Sequence, residues 1–448
     1  MNKTFDIAVV GGGPAGAATA LSIRRQSGLT VALVEKTDYG QPRVGETLSP
    51  GARSLLEYLE AWQAFEQAGH APAYGNAAAW GNDAIYQRDF MFTPFGHGWH
   101  LDRRRFDADL VATAEHKGVV VYRNTLLEHV EREDGGCRLR LRQGEDTMGL
   151  TARFVVDASG KGQVVARKLG AERQLIDNMV ALVAEYPAMP DADTFTLVEP
   201  CAQGWFYSAC LPAEAGGRTW WVALMTDADL IQQHELRAPE VWWRLLNGAR
   251  HTMARLAGAQ APVRLQVVSA HSALLEPLYG QDWVAVGDAA GSYDPLSSSG
   301  IVRALDAGIH TGMAVVQALA GNRAALAQLA ERHVGAYQQY LGTRASYYQM
   351  EQRWPDSNFW RRRQAVVTLA PDCQLVSVPK AVDTVAWPAD LQPLEPASLL
   401  SACSTTTAAA AVVAAHPQRT EVGDERIILG LQWLLQAGLL AIAKPGTA

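Results

Sequence analysis

The chain is 448 residues long, with 39 basic and 46 acidic residues and a hydrophobic share of 48%. Such a length and balance suit one large globular domain or two, with enough core to fold without disulfides or structural metals. The formal charge of −7 argues against non-specific binding to nucleic acid or to an anionic membrane.

The first residues lead straight into a strand, with no charged n-region and apolar h-region, so no signal peptide is expected. Residues 5–10 (Phe-Asp-Ile-Ala-Val-Val) read as a buried parallel strand, Gly11-Gly12-Gly13-Pro14-Ala15-Gly16 as a tight turn, and 17–25 as a helix. A second strand over 30–35 completes a β–α–β unit. Gly11 permits the bend, Gly13 lets backbone approach a pyrophosphate, and Gly16 lets the helix pack on the strand. The pyrophosphate would lie on the helix N-terminus, where orphan N–H groups and the dipole favour anions. Glu35 ends the second strand nineteen residues after Gly16, placed to accept hydrogen bonds from a ribose. The bland alternative is a plain glycine turn; strand, helix and acid together predict a dinucleotide site.

Farther along, the Gly/Pro-rich stretch 40–51 predicts an ordered loop over a ligand, and 55–67 has helical spacing. Short strands are expected at 119–122, 127–131, 137–141 and 152–157. From 175 to 275 the pattern alternates as in strands, with one helix over 239–256 and a concentration of tryptophan (Trp205, Trp220, Trp221, Trp242, Trp243). A buried strand returns at 283–287 and helices follow over 299–353, so a sheet domain interrupts the first fold. Six prolines between 354 and 396 mark an irregular connection. The tail, 397–444, holds two helical stretches, the second ending as small winged-helix modules do. The expected α/β architecture therefore has a Rossmann-like nucleotide domain in two parts (1–174 and 276–353), an inserted antiparallel-sheet domain facing substrate (175–275), and a helical C-terminal extension (354–448), a candidate partner-binding module.

The longest apolar run, 427–443, contains Gln432 and Gln436 and is too short for a membrane span. Five scattered cysteines form no CxxC pair, which points to a reducing cytoplasm. The eleven histidines do not fall at ligand spacing, so no metal is expected. No second strand–glycine turn–helix unit occurs, so reducing equivalents would come from a transiently bound NAD(P)H or from a separate flavin reductase.

Two distant segments decide between dinucleotides. Val155-Val-Asp157-Ala-Ser-Gly160 and Val284-Ala-Val-Gly287-Asp288-Ala-Ala290, the latter followed by Asp294-Pro295-Leu296 and Ser299-Gly300-Ile301, resemble motifs of FAD-dependent monooxygenases and their relatives. The resemblance implies FAD and an aromatic-hydroxylase/halogenase type of Rossmann domain. It implies that Asp288 contacts the ribityl–pyrophosphate part and that the helix from Ser299-Gly300 aims its N-terminus at the flavin's pyrimidine end, where reduced flavin carries negative charge. Arg103, in Arg-x-x-Phe-Asp, matches an arginine that reaches the phosphates; its alternative is a surface helix arginine. The candidate cofactor-binding set is Gly11, Gly13, Pro14, Ala15, Gly16, Glu35, Lys36, Arg43, Arg103, Asp157, Gly287, Asp288, Pro295, Gly300 and Ile301.

Arg43-Val-Gly-Glu46-Thr-Leu-Ser-Pro50 looks like the strap of flavin-dependent halogenases and neighbouring oxygenases, and the segment 293–300 supports that branch. Two departures count against halogenation. Those enzymes carry an essential lysine several dozen residues after the Gly-Glu pair, and here no lysine lies between Lys36 and Lys117. Their W-x-W-x-I-P motif is replaced by Gly204-Trp-Phe-Tyr-Ser-Ala-Cys-Leu-Pro212. Residues 96–103, 204–212 and 283–300 most resemble the flavoproteins that mature cysteine tryptophylquinone in bacterial amine-oxidising enzymes, those of quinohemoprotein amine dehydrogenase above all and those of lysine and glycine oxidases beside them. The likeness covers roughly residues 5–345.

That resemblance implies an FAD monooxygenase hydroxylating a tryptophan in a partner polypeptide, the small subunit of a quinoprotein amine dehydrogenase, with O₂ activated as a flavin C4a-hydroperoxide. Candidate catalytic groups are His97, His100 and Asp294, a histidine titrating near working pH. Their alternatives are inert loop histidines and an aspartate that holds a turn against Pro295. Trp205 and Tyr207 are candidate substrate-binding rings, with sheet-core packing as the commoner fate. Leu429, Trp433, Leu434 and Leu440 make a partner-facing or domain-packing face, and Arg361-Arg362-Arg363 either meets an acidic partner or is solvated. Competing readings are a flavin oxygenase of a small aromatic substrate and a non-catalytic flavin-binding assembly factor.

Overall fold

The structure, a computed structural model, describes residues 3–41, 43, 45–213, 217–256, 265–364, 372–378, 391, 393–436 and 439–443. The chain divides into two compact units, 1–330 with 350–360, and 331–349 with 361–448.

In the larger unit the strand Lys3–Val10 pairs in parallel with Val31–Val34 on one side and with Asp146–Asp157 on the other, and Val120–Tyr122 extends the sheet beyond Val31–Val34. The strand Asp146–Asp157 is long because it serves two partners. Its first half pairs antiparallel with Gly136–Gln143, while Val155–Asp157 pairs in parallel with Trp283–Ala285 from far along the chain. A parallel sheet is covered on both faces, and the strands accordingly read as unbroken apolar runs rather than alternating ones. Helices Pro14–Gln26, Arg103–His116 and Gly300–Leu319 share one core with these strands.

The second sheet has the order Gln266–Ser269, Met179–Pro187, Arg218–Asp227, Gly204–Pro212, Phe195–Cys201, Gly75–Ala78, Tyr86–Asp89. Its last two strands come from residues 75–89, a stretch that sequence patterning left with the nucleotide domain; Gly-Asn-Ala-Ala and Tyr-Gln-Arg-Asp are four-residue strands that carry little strand signal. Strand alternation splits the side chains cleanly. Phe206, Cys210, Trp220, Val222 and Leu224 face helix Pro239–Gly248, where Trp242 Nε1–H donates to Tyr186 Oη at 2.8 Å. The expected helix over 239–256 breaks at Ala249 into Pro239–Gly248 and Arg250–Arg255. Trp205, Tyr207, Trp221, Ala223 and Met225 are out of phase with that set and face the opposite side.

The smaller unit holds a three-stranded sheet, Thr407–Ala408, Gln374–Ser377 and Leu440–Ile442, with helices Pro396–Ala402, Ala409–Ala415 and Asp424–Gln436 around it. Leu434 and Leu440 are part of its buried core with Leu375, Leu399 and Leu431, and Trp433 packs against that core. Of the proposed partner-facing set only Leu429 stays exposed, at 50%. Leu440 also lies in a strand rather than in the helix. Among the described residues no helix is long and apolar enough to cross a membrane, and no group of side chains could hold a metal ion.

Candidate functional site

Three loops leave the carboxyl ends of the strands Lys3–Val10, Asp146–Asp157 and Trp283–Ala285, the crevice where open α/β sheets bind ligands. They enclose a cavity of about 360 Å³. Gly13, Pro14 and Ala15 supply one wall, Gly160 and Lys161 a second, and Asp288 with residues 293–301 a third. Gly45, Glu46, Thr47 and Arg103 close one side, and the second sheet contributes Ala181, Val183, Tyr207, Trp221, Ala223 and Met225.

The first loop has the geometry its glycines predict. Gly11 sits at φ +113°, and a β-carbon there would come within 2.2 Å of the Ala158 carbonyl oxygen. A β-carbon on Gly16 would meet the Gly11 carbonyl oxygen at 1.9 Å, so the helix can begin against the turn only without one. Around Gly13 the space is open, with no atom within 4 Å of a β-carbon position. The Gly12 N–H donates to Glu35 Oε2 at 2.7 Å, fixing the acid beside the turn. Glu35 Oε1 accepts from Thr37 and from Arg43 Nη2 at 3.0 Å, so Oε2 is the oxygen with spare capacity for a hydroxyl donor. An open pyrophosphate cradle, an acid at ribose distance along the chain and a helix N-terminus at Gly300 fit a flavin dinucleotide.

Gly13, Pro14, Ala15, Arg103, Tyr207, Asp288, Asp294, Pro295, Gly300 and Ile301 thus line one cavity. Arg103 grips Asp107 through Nε at 3.1 Å and Nη2 at 3.0 Å and donates from Nη1 to Gly45 O at 2.9 Å. Arg43 spans Asp107 and Glu35 at 3.0 Å each, behind the lining. Asp288 is open to the cavity, and desolvation by the surrounding walls raises its pKa, with Lys161 and Arg103 opposing the rise. Asp294 Oδ1 accepts from Leu296 N at 2.9 Å, so this aspartate holds the turn of its own loop.

Several expected residues stand elsewhere. Asp157 does not reach the cavity: its carboxylate accepts from Ser159 N and Oγ, Val165 N and Ala166 N, organising the loop after its strand. Lys36 is exposed beyond the end of its strand. Gly287, at φ +62°, shapes the third loop from behind, where a β-carbon would press on Ala15. His97 bonds Gly98 O through Nδ1 at 2.8 Å and packs its ring on Tyr74 and Trp99. His100 is fully buried, and burial lowers its pKa to about 4, so it stays neutral. Its Nε2–H donates to Thr194 O at 2.9 Å, and neither histidine lines the cavity. Trp205 shares a strand face with Tyr207 but is covered by Trp80 at 6.3 Å between rings.

The structure adds residues that patterning passed over. Glu46, in the strap, lines the cavity with 5% of its surface exposed, and its Oε1 has no hydrogen-bond partner. Burial pushes its pKa up to about 7 against the pull of Arg103. Thr47 Oγ1 meets Tyr207 Oη at 2.8 Å, Thr196 Oγ1 at 3.2 Å and His100 Nδ1 at 3.5 Å. Lys161, directly after the Asp-Ala-Ser-Gly segment, donates to Ser269 O at 2.7 Å; burial lowers its pKa while Asp288 and Asp177 oppose the shift. Trp221 stands on the cavity face, and the strand's alternation was the signal that separates it from Trp220.

A two-part α/β fold with this cradle defines an FAD-dependent oxidoreductase. The sequence profile of the tryptophan halogenase family matches residues 6–73 and 63–376, and the chain belongs to that family. It is 32% identical over 375 residues to the putative FAD-dependent oxidoreductase LodB of Marinomonas mediterranea, covering 82% of this chain and 99% of that one. Among solved structures it resembles the myxobacterial chondrochloren halogenase CndH, with a TM-score of 0.74 and 24% identity over 82% of this chain and 87% of that one. It also resembles the peptidyl tryptophan dihydroxylase QhpG, essential for tryptophylquinone cofactor biogenesis, with a TM-score of 0.63 and 24% identity over 97% of this chain and all of that one.

Proposed function

We propose that the protein is an FAD-dependent monooxygenase that hydroxylates a tryptophan side chain in a partner polypeptide, as a step in forming a tryptophylquinone. The observation that carries the reading is the missing lysine. The first lysine after Lys36 is Lys117, a half-exposed residue paired with Glu60. The strands that follow the strap, Ala71–Ala73 and Gly75–Ala78, offer only Ala, Pro, Gly and Asn. The likeness to a peptidyl tryptophan dihydroxylase along 97% of this chain supports the same reading.

Reduced FAD supplies the electrons that cleave O₂ and leave one oxygen electrophilic. The chain's part is to hold an electron-rich ring and keep water away. Val183, Trp221, Ala223 and Met225 form an apolar wall suited to packing an indole. Tyr207, kept neutral by burial, presents its ring beside them, with its hydroxyl fixed by Thr47. Gly13, the Gly300 helix start, Arg103 and Asp288 would hold the cofactor. Electrons come from NAD(P)H bound in passing or from a separate flavin reductase.

Halogenation is the second reading, favoured by Lys161, which brings an ammonium to the cavity from a different loop. One experiment separates the two. The protein is incubated with FAD, a reductant, ¹⁸O₂, bromide and the tryptophan-bearing subunit of a quinoprotein amine dehydrogenase, and the subunit is then analysed by peptide mass spectrometry. Labelled oxygen on a tryptophan supports hydroxylation and bromine supports the alternative. An unchanged subunit beside a flavin that reduces and reoxidises sinks both peptide readings and leaves a small aromatic substrate.

A further inference from the structure

We infer that Glu46 is the acid–base group of this active site, accepting the proton released by the substrate ring and delivering one to the departing oxygen. The inference deepens the oxygenase reading and rests on it.

The other ionisable side chains on the cavity wall have partners or facing charges. Asp294 caps its turn, Tyr207 Oη is bonded to Thr47, Tyr293 lies under the Arg303 guanidinium at 4.5 Å, and Lys161 donates to Ser269 O. Asp288 faces the cations Lys161 and Arg103. Among the described residues, Glu46 is the cavity-lining residue with a buried side-chain oxygen, Oε1, that has no hydrogen-bond partner. A buried polar atom left open costs stability, so its survival inside a cavity asks for a ligand or a task.

The strap holds the carboxyl in place. Thr47 and Leu48 pair with His100 and Trp99, Leu101 N–H donates to Glu46 O at 2.8 Å, and Arg103 Nη1 donates to Gly45 O. The groups that face Glu46 are Arg103, Glu185, Tyr207 and the N–H groups of Gly45 and Glu46 itself. A carboxyl so placed changes protonation close to working pH, as an efficient proton relay requires. Tyr207 and His100 are both held neutral by burial and cannot take that part.

In the step itself the ring carbon forms a bond to the electrophilic oxygen as the O–O bond breaks, its electron pair going to the oxygen left behind. The ring proton then passes to the Glu46 carboxylate, and the carboxylic acid passes a proton to the remaining oxygen, which leaves as water with its second hydrogen supplied by the reduced flavin. The two electrons come from reduced flavin and O₂ is the oxidant.

The test uses two readouts that need no peptide. In the flavin-free protein, infrared difference spectroscopy follows protonated carboxyl C=O groups through a pH titration. Wild type should show a band titrating near neutrality that Glu46→Gln lacks and Glu46→Asp keeps. In the FAD-loaded protein, stopped flow follows reoxidation of reduced flavin by O₂ alone. Glu46→Gln should lose the pH dependence and slow the proton-coupled phase by about 10²-fold, with Glu46→Asp recovering part of it. A titration and a pH profile identical in wild type and Glu46→Gln would overturn the assignment. Failure of the oxygenase reading would instead show as intact Glu46 behaviour with no labelled oxygen on the subunit.

Discussion

Replacing Glu46 by Gln should change how stability depends on pH, by an amount the structure sets. The ordinary glutamate value of 4.5 rises to about 7 on burial, and each unit is worth about 1.4 kcal/mol, so the shift corresponds to about 3 kcal/mol. Between those values the native state holds a proton that the unfolded chain has released. The contribution of Glu46 is therefore fully present below about pH 4.5, falls as pH rises to about 7, and is level beyond. Glutamine is neutral throughout, so the stability of Glu46→Gln relative to wild type should climb across that window and then hold. Unfolding entropy of about 2 cal/mol/K per residue turns the effect into roughly 4 °C for a unit of this size. Thermal unfolding of the flavin-free proteins across the window measures it, and comparison with wild type cancels every other titrating group. Parallel curves from acid to neutral pH would refute the burial argument.

Gly16→Ala should abolish flavin retention, because its β-carbon would lie 1.9 Å from the Gly11 carbonyl oxygen; flavin absorbance after gel filtration decides, and wild-type retention would contradict the cradle. Asp157→Ala strips the acceptor from three backbone N–H groups and should cost about 3–6 kcal/mol, seen as a lower unfolding midpoint in the flavin-free protein. Trp205→Phe, outside the cavity, should lower the unfolding temperature and leave flavin affinity unchanged. Trp221→Ala should instead raise KM for the aromatic substrate at least several-fold, which steady-state kinetics would show.

The nucleotide half of the fold was legible because its signals are local. An unbroken apolar strand, three glycines at fixed offsets and an acid at the end of the next strand each follow from backbone geometry within 35 residues of sequence. The cavity's contents were less so. Asp157 looked like a ligand because its Val-Val-Asp-Ala-Ser-Gly segment resembles a flavoenzyme motif, yet the loop after it consumes its hydrogen-bonding capacity. His97 and His100 drew notice as residue types, and only tertiary packing shows His100 bonded to Thr194 O on the far side of the strap. Trp205 and Tyr207 share a face, and which of them meets the cavity depends on Trp80, contributed from a distant segment. Glu46 stood in a motif already singled out; its burial was the missing fact.

The late pairing of Trp283–Ala285 with Asp146–Asp157 has a consequence for how the protein is made. A ribosome that has delivered the first glycine loop has delivered only part of a flavin site, because the remaining walls arrive with residues 286–301. Throughout synthesis of the inserted sheet, the parallel sheet presents a bare edge at Val155–Asp157, the kind of edge that invites pairing with other chains. Nascent chains halted before residue 283 should therefore bind no flavin and draw on chaperones. Synthesis of that short strand together with the loop and helix start that follow it, through residue 301, makes the chain competent to capture its cofactor.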